Sequence, residues 1–199
     1  MKARFCDETD FGFGWIAPEP ALMLRASHAL ADAGRVWLLD PVDCDGVDER
    51  IRALGEPAGV VQLLDRHERD CAAIAVRYGV PLHVTPFDEI PDSPFRVLRV
   101  VRTPLWKEVA LWWPERRALA VADALGTLRY FRAPDEELGV HPFLRLTPPR
   151  ALARLDPEHV LCGHGRGVHG PAAGAALREA LAGSRRRTPA WLVGLARRH

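Results

Sequence analysis

The chain has 199 residues, 48% hydrophobic and 27% charged, with a formal net charge of +1. That length suits one soluble domain over residues 1–199, and the composition excludes a disordered or fibrous chain. Near-neutrality leaves no global field for a polyanion, so nucleic acid is not an expected partner.

The opening MKARFCDETD has no apolar segment, and no stretch approaches about 18 consecutive apolar residues, so no membrane association and a cytoplasmic location are expected. RASHAL, holding His28, reads as a surface or loop stretch. RVWLLD, residues 35–40, is a β-rich run after Gly34, stopped by Pro41. Residues 48–54 suit a short helix closed by Gly55. A second strand is expected over 60–65 and a helix over 68–78, closed by Gly79. VPLHV follows as a third strand, with His83 read as a hydrogen-bonded core histidine. Strands alternating with helices at this spacing imply parallel pairing, with helices on the sheet faces.

The middle of the chain changes character. FRVLRVVRT from Phe95, KEVALWW from Lys107 and RALAVADAL from Arg117 are successive β-rich runs broken by turns, as in a meander. The proline-rich residues 133–149 read as a surface loop. Helices are expected at 149–155, 171–182 and 189–198, each opening on proline, with the strand HVLCGHG starting at His159. Arginines cluster at Arg185, Arg186 and Arg187 and again at Arg197 and Arg198. Without interleaved aromatics they read as a solvated face. Trp106, Trp112 and Trp113 suit core packing, with a ligand pocket or subunit interface as the other use.

Cys6, Cys44, Cys71 and Cys162 are far apart, with no C-x-x-C pair, and read as free thiols. Thiol chemistry through Cys71 or Cys162 would need an adjacent base and a lowered pKa.

Three segments join an apolar strand to polar residues just past its end: residues 63–70 (LLDRHERD), 119–125 (LAVADAL) and 160–167 (VLCGHGRG). Strand carboxyl ends are where a sheet presents side chains to a crevice. Asp65, His67, Asp70, Asp123 and His164 are therefore the candidates to converge, and carboxylate with imidazole suits zinc, manganese or iron. His169 is close enough in sequence to reach toward His164 across the turn. The first segment also has a purely structural reading: Asp65 as a helix N-cap, Glu68 in the first turn, and an Arg66–Asp70 pair at i,i+4.

In order and spacing, DRHERD, RTPLW, VADAL and LCGHG resemble the motifs of the metallo-β-lactamase-fold hydrolases. The family's H-x-H-x-D-H loop maps onto residues 65–70, its turn histidine onto Trp106, its bridging aspartate onto Asp123 and its last histidine onto His164. The resemblance implies an α/β (α+β) four-layer αββα sandwich, two mixed β-sheets face to face with helices outside. It also implies a degenerate metal centre, because only His67, Asp123 and His164 keep the family's residues.

The metal set implied is His67, Asp70, Asp123 and His164, with Asp65 and Asp123 as the catalytic carboxylates. Arg69 and Trp106 are further pocket residues. A guanidinium at 69 would repel a cation by several kcal/mol at about 4 Å, or bind Asp65, Asp70 or Asp123 in its place. An indole at 106 has no lone pair to offer and would fill space an ion needs. The expected cofactor is thus none, or one divalent ion such as zinc, manganese or iron. Two readings stay open: a non-catalytic protein of this fold that binds a small molecule, or a mononuclear metal-dependent hydrolase of a small ester, thioester or phosphoester. Homo-oligomerisation is left open as well.

Overall fold

The computed structural model describes residues 2–18 and 23–196, so Arg197 and Arg198 lie outside the described residues. Alternation of side chains along the strands builds the architecture. In β1 (Arg4–Thr9), β2 (Gly12–Ile16), β3 (Ala26–Asp32), β4 (Arg35–Leu39), β5 (Glu56–Gln62) and β6 (Leu82–Val84), neighbours in sequence are neighbours in one sheet. The first four pair antiparallel, and β4, β5 and β6 run parallel. The parallel crossovers carry α1 (Val47–Leu54) and α2 (Cys71–Tyr78), as the strand–helix alternation requires.

The second sheet has the order β13-β12-β9-β8-β7. It is formed by β7 (Arg96–Thr103), β8 (Trp106–Trp113), β9 (Ala118–Val121), β12 (His159–Cys162) and β13 (Val168–His169). Strands β9 and β12 are parallel, while the other pairs are antiparallel. A two-stranded ribbon, β10 (Leu125–Gly126) with β11 (Gly139–Val140), stands beside it. Two helices close the chain, α3 (Ala172–Gly183) and α4 (Thr188–Ala196).

Period-2 burial assigns each strand residue to a layer. Trp37 and Leu39 of β4, Val109, Leu111 and Trp113 of β8, and Leu161 of β12 meet between the sheets. Val36 and Leu38 face the opposite way, onto Val47 and Ile51 of α1 and Ile74 of α2. Leu119, Val121, Val160 and Cys162 face Ala173, Leu177 and Ala180 of α3. The result is a helix–sheet–sheet–helix sandwich of four layers, as expected, with Trp113 in the core. No helix among the described residues is long and apolar enough to cross a membrane.

Several local expectations change. Arg4–Thr9, Gly12–Ile16 and Ala26–Asp32 are strands, and His28 is buried in the third of them rather than exposed in a loop. The helix expected over 149–155 is a single 3-10 turn, Arg150–Leu152. Helix α2 starts at Cys71 and not at residue 68, because Arg69 takes a left-handed φ of 41° that interrupts a helix.

Candidate metal centre

After β5 the chain leaves the first sheet and crosses to the second. Asp65 N–H donates to Lys107 C=O at 3.0 Å, and Val109 N–H donates to Leu63 C=O at 2.9 Å. A turn closed by His67 N–H on Leu64 C=O then brings the His67 ring back over the carboxyl ends of the strands. His164 arrives from the turn after β12, and Asp123 from the turn after β9. Residues 163–165 hydrogen-bond with residues 24–26, Ala26 N–H to Gly163 C=O and Gly165 N–H to Leu24 C=O, which seats the turn against β3. Gly163 is needed there, since a Cβ would stand 3.1 Å from the His67 ring and 2.9 Å from Ala122 O.

Three ligand-type atoms converge. His164 Nε2 is 3.0 Å and His67 Nε2 is 3.2 Å from Asp123 Oδ1, and the two nitrogens are 3.3 Å apart. Both rings have their other nitrogen committed. His67 Nδ1 is 2.8 Å from Asp40 Oδ2, and His164 Nδ1 is 2.9 Å from Met23 C=O. A carbonyl or carboxylate only accepts, so both Nδ1 atoms carry hydrogen, and in the neutral rings both Nε2 atoms present lone pairs. Asp123 Oδ1 is buried and makes no aligned hydrogen bond despite its two close neighbours.

Three acceptors facing one another need a positive charge between them, a proton or a metal ion. About 2.9–3.4 Å is the spacing expected of neighbouring ligands around an ion bound at roughly 2.0–2.2 Å. The donor set therefore fits one divalent ion, with Asp40 and Met23 C=O orienting the imidazoles.

Electrostatics agrees. Burial raises the Asp123 pKa, but the two imidazoles beside it, when they carry a proton at Nε2, outweigh burial and hold the carboxyl far below its ordinary range. Burial and the Arg69 charge lower the His67 pKa, yet Asp40 and Asp123 prevail and raise it. The site favours positive charge at its centre.

The remaining predicted residues are placed elsewhere. Asp70 stands at the start of α2 and accepts Asp43 N–H at 2.8 Å, so it is not in the cluster. Asp65 accepts Lys107 N–H at 3.0 Å instead of capping α2. Arg66 pairs with Leu105 C=O at 3.0 Å, not with Asp70. Arg69 binds no carboxylate: its Nη1 donates to Ala26 C=O and Asp40 C=O and its Nη2 to Gly163 C=O, at 2.5, 2.8 and 2.9 Å. Gly163 C=O also accepts Ala26 N–H and Asp40 C=O the Ser27 hydroxyl, so the guanidinium adds a second, charged donor to two of these carbonyls. Trp106 does not occupy the ion's place; its Nε1–H donates to Glu108 at 2.9 Å, and Arg66 lies 4.8 Å over its ring. His169 turns away from His164 to Asp7 and His159. Cys71 and Cys162 are buried and burial pushes both thiols well up, which removes the thiolate reading.

Sequence reasoning missed several residues. A cavity of about 400 Å³ opens over the cluster, and His141, Tyr130, Arg25 and Met23 line it together with Arg66 and Arg69. His141 Nδ1 accepts Phe143 N–H at 3.3 Å, so the ring proton is on Nε2, and burial lowers its pKa to about 4. Nothing in the pattern around His141 singles it out. Asp40, at the carboxyl end of β4, did carry a signal: a charged residue ending an apolar parallel strand.

With the geometry in hand, the class of protein follows. The chain has the metallo-β-lactamase fold. It aligns with DIM-1 metallo-β-lactamase at a TM-score of 0.63 and 14% identity, over 92% of this chain and 98% of that one. The match to BLEG-1 B3 metallo-β-lactamase has a TM-score of 0.58 and 15% identity, over 82% and 94%. TMB-1 matches at 0.58 and 11% identity, over 95% and 98%. No family model and no curated protein matches the sequence.

Proposed function

We propose that the protein is a mononuclear metal-dependent hydrolase of a small ester, thioester or phosphoester. What carries this reading is the convergence of two Nε2 lone pairs and an otherwise unpaired Asp123 Oδ1 within 3.0–3.3 Å of one another. His67, Asp123 and His164 would hold the ion, with zinc, manganese or iron suited to the donor set. When bound, such an ion acidifies water and polarises a carbonyl or phosphoryl oxygen.

The protein's own groups do the rest. Asp40 and Met23 C=O fix both imidazoles in the tautomer that points lone pairs inward. His141, neutral and protonated at Nε2, is suited to donate to a developing oxyanion beside the cluster. Tyr130, whose pKa is raised first by burial and then by Asp123, stays a phenol and adds a second donor. Asp65 and Asp70, hydrogen-bonded to Lys107 N–H and Asp43 N–H, are not in position as general bases.

Metal analysis of protein purified without chelator tests the reading, together with turnover of generic nitrophenyl esters and thioesters. About one equivalent of metal, lost in His164→Ala along with turnover, is expected. Protein that neither retains nor is stimulated by a divalent metal would return the site to the metal-free alternative, a binding protein in which protons sit among the three groups.

A further inference from the structure

We infer that the cavity selects amphipathic anions, with a carboxylate or phosphate head group on Arg66 and an apolar group against Phe143 and Leu105. As a statement about substrate it rests on the hydrolase reading. As a statement about binding it stands alone.

The charge of the wall carries the first half. Arg25, Arg66 and Arg69 all border the cavity, and among the described residues the one acidic side chain in that wall, Asp123, has its Oδ1 between two imidazoles. Arg69 has its Nη donors on three carbonyls, and its Nε is buried away from the cavity water. Arg66 differs: its side chain is 49% exposed, and its Nη2 lies 3.9 Å from Asp123 Oδ2, beyond a hydrogen bond. Its guanidinium is nevertheless held, by Leu105 C=O at Nη1 and by the Trp106 face beneath. A planar fork fixed on two sides and open on a third loses little freedom when it binds a carboxylate or phosphate.

The second half comes from exposed apolar residues in contact with two of the lining residues, His141 and Arg66. Phe143 is 79% exposed and Leu105 87% exposed, among the largest exposed apolar side chains described. Phe143 has its ring 5.4 Å from His141, and Leu105 supplies the carbonyl that holds Arg66. Met23, 36% exposed, is part of the wall itself. Single exposed apolar residues are ordinary, but several next to one arginine-bordered cavity mark a ligand surface. A volume of about 400 Å³ admits a small molecule and not a polymer.

Isothermal titration on the full chain, metal-loaded and chelated, tests this with phenyl phosphate, 3-phenylpropionate, benzyl alcohol, acetate and inorganic phosphate. The two aryl anions are expected to bind, the better of them identifying the head group, and benzyl alcohol is not. Arg66→Gln should weaken both aryl anions by about tenfold, with Arg66→Lys between, and metal content unchanged. Phe143→Ser should weaken the aryl anions by about fivefold and leave acetate and phosphate alone. Equal binding of benzyl alcohol, or anion binding indifferent to Arg66→Gln, overturns the inference. Arg66-dependent binding in protein that takes up no metal upholds it while removing the hydrolase reading.

Discussion

His141 and Arg69 show how single buried side chains set the properties of the centre. His141 is held near pKa 4 by burial, against an ordinary 6.5. Between those values the unfolded chain binds the proton and the folded chain does not, so folding stability falls as pH drops from 6.5 toward 4. Allowing for screening by cavity water, the loss is on the order of 2 kcal/mol. His141→Gln should remove that slope, so that the gap between the parent and the variant in urea unfolding shrinks by this amount from pH 7 to pH 4. A gap independent of pH would mean the imidazole is protonated in the fold. Arg69 takes the opposite role from the one its sequence position suggests. Its three carbonyl partners belong to β3, the end of β4 and the turn after β12, so Arg69→Met should cost about 3 kcal/mol by removing three charge-assisted hydrogen bonds, although Gly163 C=O keeps Ala26 N–H and Asp40 C=O the Ser27 hydroxyl. Lysine, a point donor, should recover only part of this in equilibrium denaturation.

At the level of elements, the ribbon of β10 and β11 ties the turn that bears Asp123 to the cavity wall. His141 N–H donates to Ala124 C=O at 3.0 Å, beside Asp123, and Gly139 packs against Phe131 so tightly that a Cβ would lie 2.2 Å from its carbonyl oxygen. Gly139→Ala should therefore lower stability by about 2 kcal/mol and disturb His141, read as a lower melting temperature and, for the proposed hydrolase, a fall in kcat with metal content retained. The same scale explains what the sequence made legible. Strands β4, β7 and β8 carry β-branched or aromatic residues, and α2 ends in a left-handed Gly79, signals that act locally. Strand β3, ASHALAD, is alanine-rich with a histidine and has no such signal; its place is set by pairing with both β2 and β4. His67, Asp123 and His164 were legible because each follows an apolar strand, but Arg66, Tyr130 and His141 enter the site only through tertiary packing.

Across the whole molecule, the two sheets are joined at a second place by Asp7. This residue sits at an irregular step in β1, with φ 51°, and its carboxylate is nearly inaccessible. Oδ2 is 3.0 Å from His28 Nε2 in the same sheet, while Oδ1 accepts Gly167 N–H at 2.9 Å and lies 3.0 Å from His169 Nε2, both belonging to the other sheet's edge. Gly14 and Gly167 leave room for it, since a Cβ on either would stand 3.1 or 3.3 Å from the carboxylate. Burial opposes the charge, but His169, His28 and Gly167 N–H outweigh it and hold the pKa far below the usual carboxylate value. A depressed acid contributes its stability above the unfolded pKa, about 3.9, and loses it as pH falls through the folded value. Asp7→Asn keeps the shape but offers one acceptor oxygen where His28, His169, Gly167 N–H and the Cys6 thiol converge, and should cost about 3 kcal/mol, or roughly 6 to 12 °C in melting temperature. Because the latch is remote from the ligand cluster, metal content should persist while amide exchange quickens in β1, β2 and β13. Loss of metal together with unchanged exchange in those strands would show that Asp7 acts on the centre and not on the joining of the sheets.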